Sequence, residues 1–404
     1  MTPLRSAAFR RLWVSSGLRT AAQLMERTTT AWLVLQLGGG ALAVGLVFAA
    51  RSSSGLVFGL AAGTLADRVD RRRLLLAVAV AGCAIMAVAG WLVAAGTIRV
   101  WTVVIIGFAA GCLQTVDSPA RQALVVDVTS REAAPNAMTL NALASRGFGA
   151  VGAIGAGLLI PLVGVSHAYY AIAAVSALSA VPILALRLAR RARLVVGHAP
   201  FRAAFGDAAR LILGEPRVRV LAISGIACEV FAFSHSSALP VFVRDVLRAG
   251  PTALGTLNGA LSIGGTVSLL LLLALADRVP RESLLGAIFL IYGASLIVLS
   301  TTRTVALAAA VLLLTGICAA AFDLLQQTLL QLAVPDEQRG RAAGIWVFSV
   351  GSAPAGYLET GALVGALGAP AALVVNGGLT LLSATLLLVH APRYRWRLRT
   401  GGET

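Results

Sequence analysis

Long runs of apolar residues alternate with short charged segments along almost the whole chain. The stretches 74–98, 249–276 and 283–302 contain no Asp, Glu, Lys or Arg. Each is long enough to cross a bilayer core of about 30 Å, which takes about 20 helical residues. Because backbone groups in lipid need internal hydrogen bonds, continuous runs of this length favour helices over barrel strands. The pattern therefore predicts an all-α integral membrane protein.

The same reading predicts twelve spans in two groups of six. They lie at about 12–36, 41–66, 74–98, 100–119, 137–163, 167–188, 217–243, 251–276, 283–302, 304–331, 342–366 and 370–391. We expect an N-terminal six-helix lobe over 1–188, a cytoplasmic linker over 189–216, a C-terminal six-helix lobe over 217–391 and a basic cytoplasmic tail over 392–404. The linker carries an apolar stripe at helical spacing, which predicts a helix on the membrane surface, formed by Phe201, Phe205, Ala208 and Ile212.

The two halves of the chain are related by an internal repeat. Leu-Ala-Asp-Arg-Val occurs at 65–69 and again at 275–279. Asp117, near the end of the fourth span, matches Asp323 near the end of the tenth at an offset of 206. A duplicated chain with an apolar bundle in each half predicts a transporter built from two pseudo-symmetric lobes.

Composition excludes most other classes of protein. With 58% hydrophobic residues, 12% charged residues and a mean hydropathy of +0.86, the chain has more apolar surface than one soluble core can hide. The four cysteines lie scattered in apolar spans, in a spacing typical of neither a zinc site nor a disulfide framework. No phosphate-binding loop or catalytic constellation is present in the sequence. We therefore expect neither a cofactor, nor a metal, nor an enzyme.

Arginine predicts the orientation in the membrane. All 33 basic residues are arginine; with the N-terminus inside, 25 lie on the inner side, 4 on the outer side and 4 within spans. The positive-inside rule then predicts a plasma (inner) membrane protein with both termini in the cytoplasm. The net charge of +16 indicates attraction to an anionic inner leaflet rather than to nucleic acid. We expect a monomer.

The charged loop after the second span carries a recognisable motif. Residues 63–73 read Gly-Thr-Leu-Ala-Asp-Arg-Val-Asp-Arg-Arg-Arg. This segment resembles the signature loop of the major facilitator superfamily, with Asp70 where the general signature has glycine. That variation, together with residues 117–124, resembles the branch that includes the enterobactin exporter and macrolide efflux proteins.

The resemblance implies a gate on the cytoplasmic side. Asp67 would dock against the N-terminus of a helix in the other lobe, while Arg68 or Arg71 pairs with Asp117, and these contacts would break when the transporter opens inward. The expected gate consists of Gly63, Asp67, Arg68, Arg71, Arg72, Asp117 and Arg121, and its second-half copy consists of Asp277, Arg278, Arg281 and Asp323. Alternatively, these arginines only anchor the topology.

Charged residues within the spans are the candidates for chemistry. An ionised side chain in the bilayer centre costs about 3 kcal/mol or more, so a retained one has a partner, a wet cavity or a function. The candidates for proton coupling and for the cavity are Glu26, Glu229, Arg51, Arg146, Arg19 and Gln23. Glu26 is the first candidate for the coupling group and Glu229 the second. A permanent ion pair of Glu26 with Arg51 or Arg146 is the structural alternative.

By this resemblance, the expected function is secondary active export. The substrate would be a small amphipathic molecule, such as a drug, a siderophore or a natural product, exchanged for protons by alternating access. Exporting members usually carry Gly-Pro and paired glycines in span five, whereas this chain has Gly152-Ala153-Ile154-Gly155-Ala156-Gly157. A proton-coupled importer and a transport-inactive sensor or scaffold of the same fold are the alternatives.

Overall fold

The computed structural model describes residues 3–130, 132–186, 210–275, 279–335 and 338–390, without the side chains of 60–68, 273, 275 and 390. Helices make up nearly all of this part of the chain. The helices are α1 (Ala7–Gln36), α2 (Ala41–Arg68), α3 (Arg71–Ala94), α4 (Val100–Asp127), α5 (Ala134–Leu184), α6 (Pro216–Ala227), α7 (His235–Val241), α8 (Pro251–Leu275), α9 (Arg281–Thr301), α10 (Val305–Leu332), α11 (Arg339–Val350), α12 (Ala353–Leu367) and α13 (Ala369–His390).

Nine helical segments of the described residues are long and apolar enough to cross a membrane. One of them, α5, crosses twice, because it turns back at Gly164, whose φ of 83° lies outside the helical region. Two further crossings are α1, which carries charges along its length, and the α11–α12 pair, interrupted at Gly351 and Ser352. The described part of the chain thus makes twelve crossings, which confirms the prediction of an all-α membrane fold.

The seventh crossing is irregular in a way that the sequence did not reveal. Between α6 and α7 the chain forms a π-helical segment over Cys228–Phe233, and a second one, Phe242–Val246, follows α7. Widened turns of this kind often occur at functional sites. Glu229 lies in the first of them.

The helices pack into two lobes. In the first lobe α1 and α3 pack against α5, and α2 packs against α4; in the second lobe α8 packs against α10, and α9 against α13. The lobes meet mainly where α5 packs on α8 and where α2 packs on α12. Small residues permit the first contact: a Cβ at Gly255 would lie only 2.7 Å from the Cα of Gly157. Two hydrogen bonds also link the lobes: Thr252 Oγ1 of α8 donates to the Gly157 carbonyl of α5 (3.1 Å), and Asn258 Nδ2 of α8 donates to Thr28 Oγ1 of α1 (3.2 Å).

Three hydrophobic cores define two ends of the molecule. One core contains residues of both lobes, such as Val34, Phe48, Leu254 and Leu373, and lies toward the loop at 37–40; we call this the distal end. At the opposite end, where α1 begins, the apolar side chains form two separate cores, one in each lobe. We call this the basal end. Among the described residues, the buried apolar contact between the lobes is therefore concentrated at the distal end.

Parts of the predicted linker lie outside the described residues. This applies to Phe201, Phe205 and Ala208 of the predicted surface helix. The break between α11 and α12 lies beside Pro354, the second residue of α12.

Candidate functional site

Glu26 of the first lobe forms a buried ion pair with Arg51. Arg51 Nη1 donates to Glu26 Oε2 at 2.5 Å, and Arg51 Nη2 donates to Gln114 Oε1 at 2.8 Å. The two charged side chains are only 5% and 10% exposed. Thr30 Oγ1 donates a longer bond of 3.4 Å to Glu26 Oε1. The partner of Glu26 is thus Arg51 and not Arg146, and both oxygens of the carboxylate are occupied.

The space beside this pair is small. A cavity of about 20 Å³ is lined by Arg19, Gln23, Glu26 and Arg51 together with apolar side chains of α3, α4 and α5. A water molecule needs at least about 10–15 Å³, so this cavity has room for roughly one water. A substrate does not fit there in this conformation.

Asp117 forms a second buried cluster in the first lobe. Its carboxylate accepts two parallel hydrogen bonds from Arg121, from Nη2 at 2.9 Å and from Nε at 3.0 Å, and Arg19 Nε lies 3.8 Å away. Arg121 also donates to Ser15 Oγ at 3.0 Å. Bidentate contacts of this kind fix geometry as well as charge. The cluster fastens α4 to α1.

Arg71, one of the two predicted partners of Asp117, pairs with another acid in this conformation, and the side chain of the other, Arg68, lies outside the described residues, so the pairing of Asp117 with Arg68 stays a prediction. Arg71 Nη1 instead donates to Asp127 at 2.5 Å, because Asp127 lies at the basal end of α4 beside the start of α3, whereas Asp117 lies almost three turns deeper. Arg72 donates to the carbonyls of Ile183 (3.1 Å) and Leu184 (2.6 Å), which end α5. Both arginines therefore bind within the first lobe.

Several predicted gate residues lie outside what the structure describes. These are the surroundings of Gly63, the side chains of Asp67 and Arg68, and the whole of Asp277 and Arg278. Arg281 is described and begins α9. The docking of Asp67 on the other lobe stays a prediction.

The acids of the second lobe are in a different situation. Glu229 and Asp323 lie close enough to each other to interact electrostatically. Asp323 Oδ1 accepts a hydrogen bond from Trp346 Nε1 at 3.1 Å. Within the described residues, neither carboxylate has a basic partner within 4 Å. Two carboxylates thus share a region of the bundle without a cation in contact.

The cation that acts on Asp323 comes from the other lobe. Arg146 projects from α5 of the first lobe toward α8, and its guanidinium occupies the space that a side chain at Gly265 would fill, with Cζ 3.1 Å from the ideal Cβ position. Its charge interacts with Asp323. Arg146, Asp323 and Glu229 therefore form an inter-lobe charge site, in which the cation and the acids belong to different lobes.

Sequence reasoning missed several members of these clusters. Gln114, Ser15 and Asp127 each bind a charged residue that had been singled out. The spacing of Asp117 and Arg121, four residues apart on one helix, was a usable signal for their pairing. Among the described residues, no group of His, Cys, Asp and Glu is arranged to hold a metal ion.

Comparisons with known proteins agree with this architecture. A family model described as "transmembrane secretion effector", one of the models for the major facilitator superfamily, matches residues 1–400. A search of the curated proteins gave no match.

Solved structures of transporters share the fold. A nucleoside transporter, NupG (D323A mutant), superposes with a TM-score of 0.77 at 15% identity, over 95% of this chain and 99% of its own. A POT family transporter in complex with 5-aminolevulinic acid gives 0.75 at 12% identity, over 96% and 97%. A bacterial homolog of the human lysosomal transporter Spinster, in an inward-facing, unoccupied conformation, gives 0.71 at 13% identity, over 96% and 95%.

Proposed function

Because the chain belongs to the transmembrane secretion effector family of the major facilitator superfamily, whose members are membrane transporters, we propose that it is a secondary active exporter driven by proton antiport. The substrate is a small amphipathic molecule. Glu229 and Asp323 carry the coupling proton, and Arg146 is the cation that competes with it.

The inter-lobe charge site is the observation that carries this proposal. A carboxylate that holds a proton does not form an ion pair, so proton binding and the attraction of Arg146 to Asp323 exclude each other. Because Arg146 belongs to the first lobe and Asp323 to the second, rocking of the lobes changes the strength of that attraction. Proton binding is thereby linked to the conformational change that transport requires.

The first-lobe pair is a poorer candidate for coupling. Glu26, Arg51 and Gln114 all belong to the same lobe, so a rigid rotation of the lobes leaves their distances unchanged. This geometry favours a structural role for Glu26, and it favours Glu229 over Glu26 as the coupling group.

The direction of transport rests on two arguments. The family is described by secretion, and the excess of arginine on the basal side makes that side cytoplasmic under the positive-inside rule. The described residues share no buried apolar core between the lobes at the basal end, which is consistent with a protein that receives its substrate from the cytoplasm. Leu56 on α2 is 49% exposed and reaches the other lobe, where its Cδ2 lies 2.5 Å from the position of a Cβ at Gly351; this apolar surface between the lobes suits an amphipathic substrate.

Uptake into inverted membrane vesicles tests this function. A panel of fluorescent amphipathic compounds is supplied outside vesicles that carry an inwardly acidic proton gradient. The proposal expects accumulation of at least one compound, and loss of that accumulation when a protonophore dissipates the gradient. Accumulation that persists without the gradient would contradict proton antiport, and gradient-driven extrusion from the vesicles would favour the importer.

A further inference from the structure

A second polar cluster lies in the second lobe, away from the inter-lobe charge site. It is formed by Ser234, just before α7, by Glu359 and Thr360 on α12, and by Asn376 on α13. Thr360 Oγ1 lies 2.8 Å from Ser234 Oγ and 3.0 Å from Glu359 Oε2. Asn376 Nδ2 lies 2.7 Å from Thr360 Oγ1 and 3.4 Å from Glu359 Oε2. We call these four residues the Glu359–Asn376 cluster.

Among the described residues, no cation contacts the carboxylate of this cluster. The Glu359 carboxylate accepts hydrogen bonds only from the neutral groups of Thr360 and Asn376 within the described residues. A hydroxyl has one proton, so Thr360 donates either to Ser234 or to Glu359 but not to both at once. A carboxylate within a membrane bundle is costly unless a cation or a proton accompanies it. Glu359 is half-buried, and a bound monovalent cation would balance its charge.

The side-chain amide of Asn376 has an unpaired oxygen. The residue is 1% exposed, and its Oδ1 has no hydrogen-bond partner, while its Nδ2 faces the oxygens of the cluster. A buried amide oxygen without a partner is costly. If the amide turns over, Oδ1 faces Thr360 and Glu359 instead, and the oxygens of Ser234, Glu359 and Asn376 then all lie within about 3 Å of Thr360 Oγ1. That arrangement is favourable only with a cation between them.

We propose that the Glu359–Asn376 cluster binds a monovalent metal cation, Na⁺, through Glu359 Oε2, Thr360 Oγ1, Ser234 Oγ and Asn376 Oδ1. Carboxylate, hydroxyl and amide oxygens are the ligands that hard cations prefer. One carboxylate matches one positive charge, whereas sites for divalent cations usually contain several. This inference goes beyond the proposed function and does not depend on the coupling residues.

A bound ion would stabilise the distal closure. It would join the segment around Ser234 to α12 and α13, and α12 is the helix that packs against α2 of the first lobe. A Cβ at Gly361, one residue after Thr360, would lie 3.3 Å from the Cα of Gly45, so this part of α12 directly contacts the first lobe. Na⁺ thus raises the stability of the conformation described here.

Thermal unfolding of the purified full-length protein in detergent tests the site. NaCl replaces choline chloride at constant ionic strength, with KCl as a second comparison, at several pH values. We expect a saturable rise in Tm with Na⁺ of about 2–4 °C, as a ligand that binds only the folded state produces. No change in Tm, or an equal change with K⁺ and choline, would overturn the proposal. Stabilisation by acid alone, without any response to Na⁺, would identify a proton site and overturn it too.

Variants locate the effect. Glu359→Gln and Thr360→Val each remove a ligand while they keep the shape of the side chain, so both should abolish the rise in Tm. Thr380→Val is the matched control, because Thr380 donates to the backbone carbonyl of Asn376 one turn further along α13 and is not a ligand. If Glu359→Gln does not fold, the Na⁺ response of Thr360→Val alone tests whether the ion binds at this cluster. A response to Na⁺ that persists in Thr360→Val would contradict the assignment, and a normal response in Glu229→Gln would separate this site from the proton site.

Discussion

Asp117 and Asp323 occupy equivalent places in the two halves, yet their surroundings differ. The internal repeat aligns them at an offset of 206, which then slips to 205 where Gln122 matches Gln327. Arg121, which pairs with Asp117, therefore corresponds to Gln326. Gln326 is 3% exposed and donates to the Leu221 carbonyl at 3.3 Å instead of binding Asp323.

The buried acids of the first lobe are therefore paired with arginines, whereas Asp323 of the second lobe has no arginine in contact among the described residues. In the first lobe, Asp117 and Glu26 have arginine partners on the same lobe, so both acids are held in place. In the second lobe the cation has been replaced by an amide, and the charge that acts on Asp323 comes from Arg146 across the interface. One half of the duplicated fold thus holds its buried acids in ion pairs, while the other half leaves Asp323 without a contacting cation among the described residues, as the proposed proton exchange requires.

The largest expected effect is on stability. Asp117→Asn leaves Arg121 and Arg19 buried without an anion, and breaking a buried ion pair costs about 3–5 kcal/mol. We expect a large fall in Tm of the purified protein and poor recovery of the variant. The equivalent change Asp323→Asn removes no ion pair within the lobe and should lower Tm far less. Similar losses from the two substitutions would contradict the comparison.

Substitutions in the Glu26–Arg51 pair should cause the second largest loss of stability. Glu26→Gln and Arg51→Met each leave one buried charge without its partner, so each should destabilise the protein. The double variant removes both charges and should lose less than the sum of the two single losses, with a coupling of about 0.5–3 kcal/mol. A thermodynamic cycle of the four proteins, measured as detergent unfolding midpoints, gives this value. Additive losses would mean that the two groups do not interact.

The smallest effect is expected at the basal surface. Arg71 and Asp127 are 24% and 33% exposed, and solvent screens such pairs to about 1 kcal/mol or less. Arg71→Gln should therefore lower Tm only slightly, and added salt should reduce the difference from the unmodified protein. Asp127→Asn is the matched variant. A loss comparable to that of Asp117→Asn would show that Arg71 has a further partner.

Much of the fold followed from the sequence, and the geometry of the charges did not. The apolar runs predicted twelve crossings, because the thickness of the bilayer sets the length of a helix. The same runs did not reveal the π-helical segment that carries Glu229, since one extra residue in a turn leaves hydropathy unchanged. The resemblance implied Arg68 or Arg71 as the partner of Asp117, whereas the structure shows Arg121, one turn away on the same helix, bound to that carboxylate.

The partners of the arginines within the spans also could not be predicted from the sequence. The sequence contains Arg19, Arg51 and Arg146 as similar cations within spans, but their partners depend on how far each helix is rotated. Arg51 turns toward Glu26 within its lobe, while Arg146 turns toward the other lobe. Hydropathy carries no information on such rotations when several faces of a helix are apolar.

The proposal that Glu229, and not Glu26, couples transport to protons is best tested with two variants. These are Glu229→Gln and the double variant Glu26→Gln/Arg51→Met. Both are assayed in inverted vesicles with a compound that the unmodified protein accumulates, with and without a proton gradient, at matched amounts of folded protein. We expect Glu229→Gln to lose gradient-driven accumulation but still to exchange labelled for unlabelled compound, while the double variant still responds to the gradient. Full gradient-driven accumulation by Glu229→Gln, with loss in the double variant, would contradict the proposal.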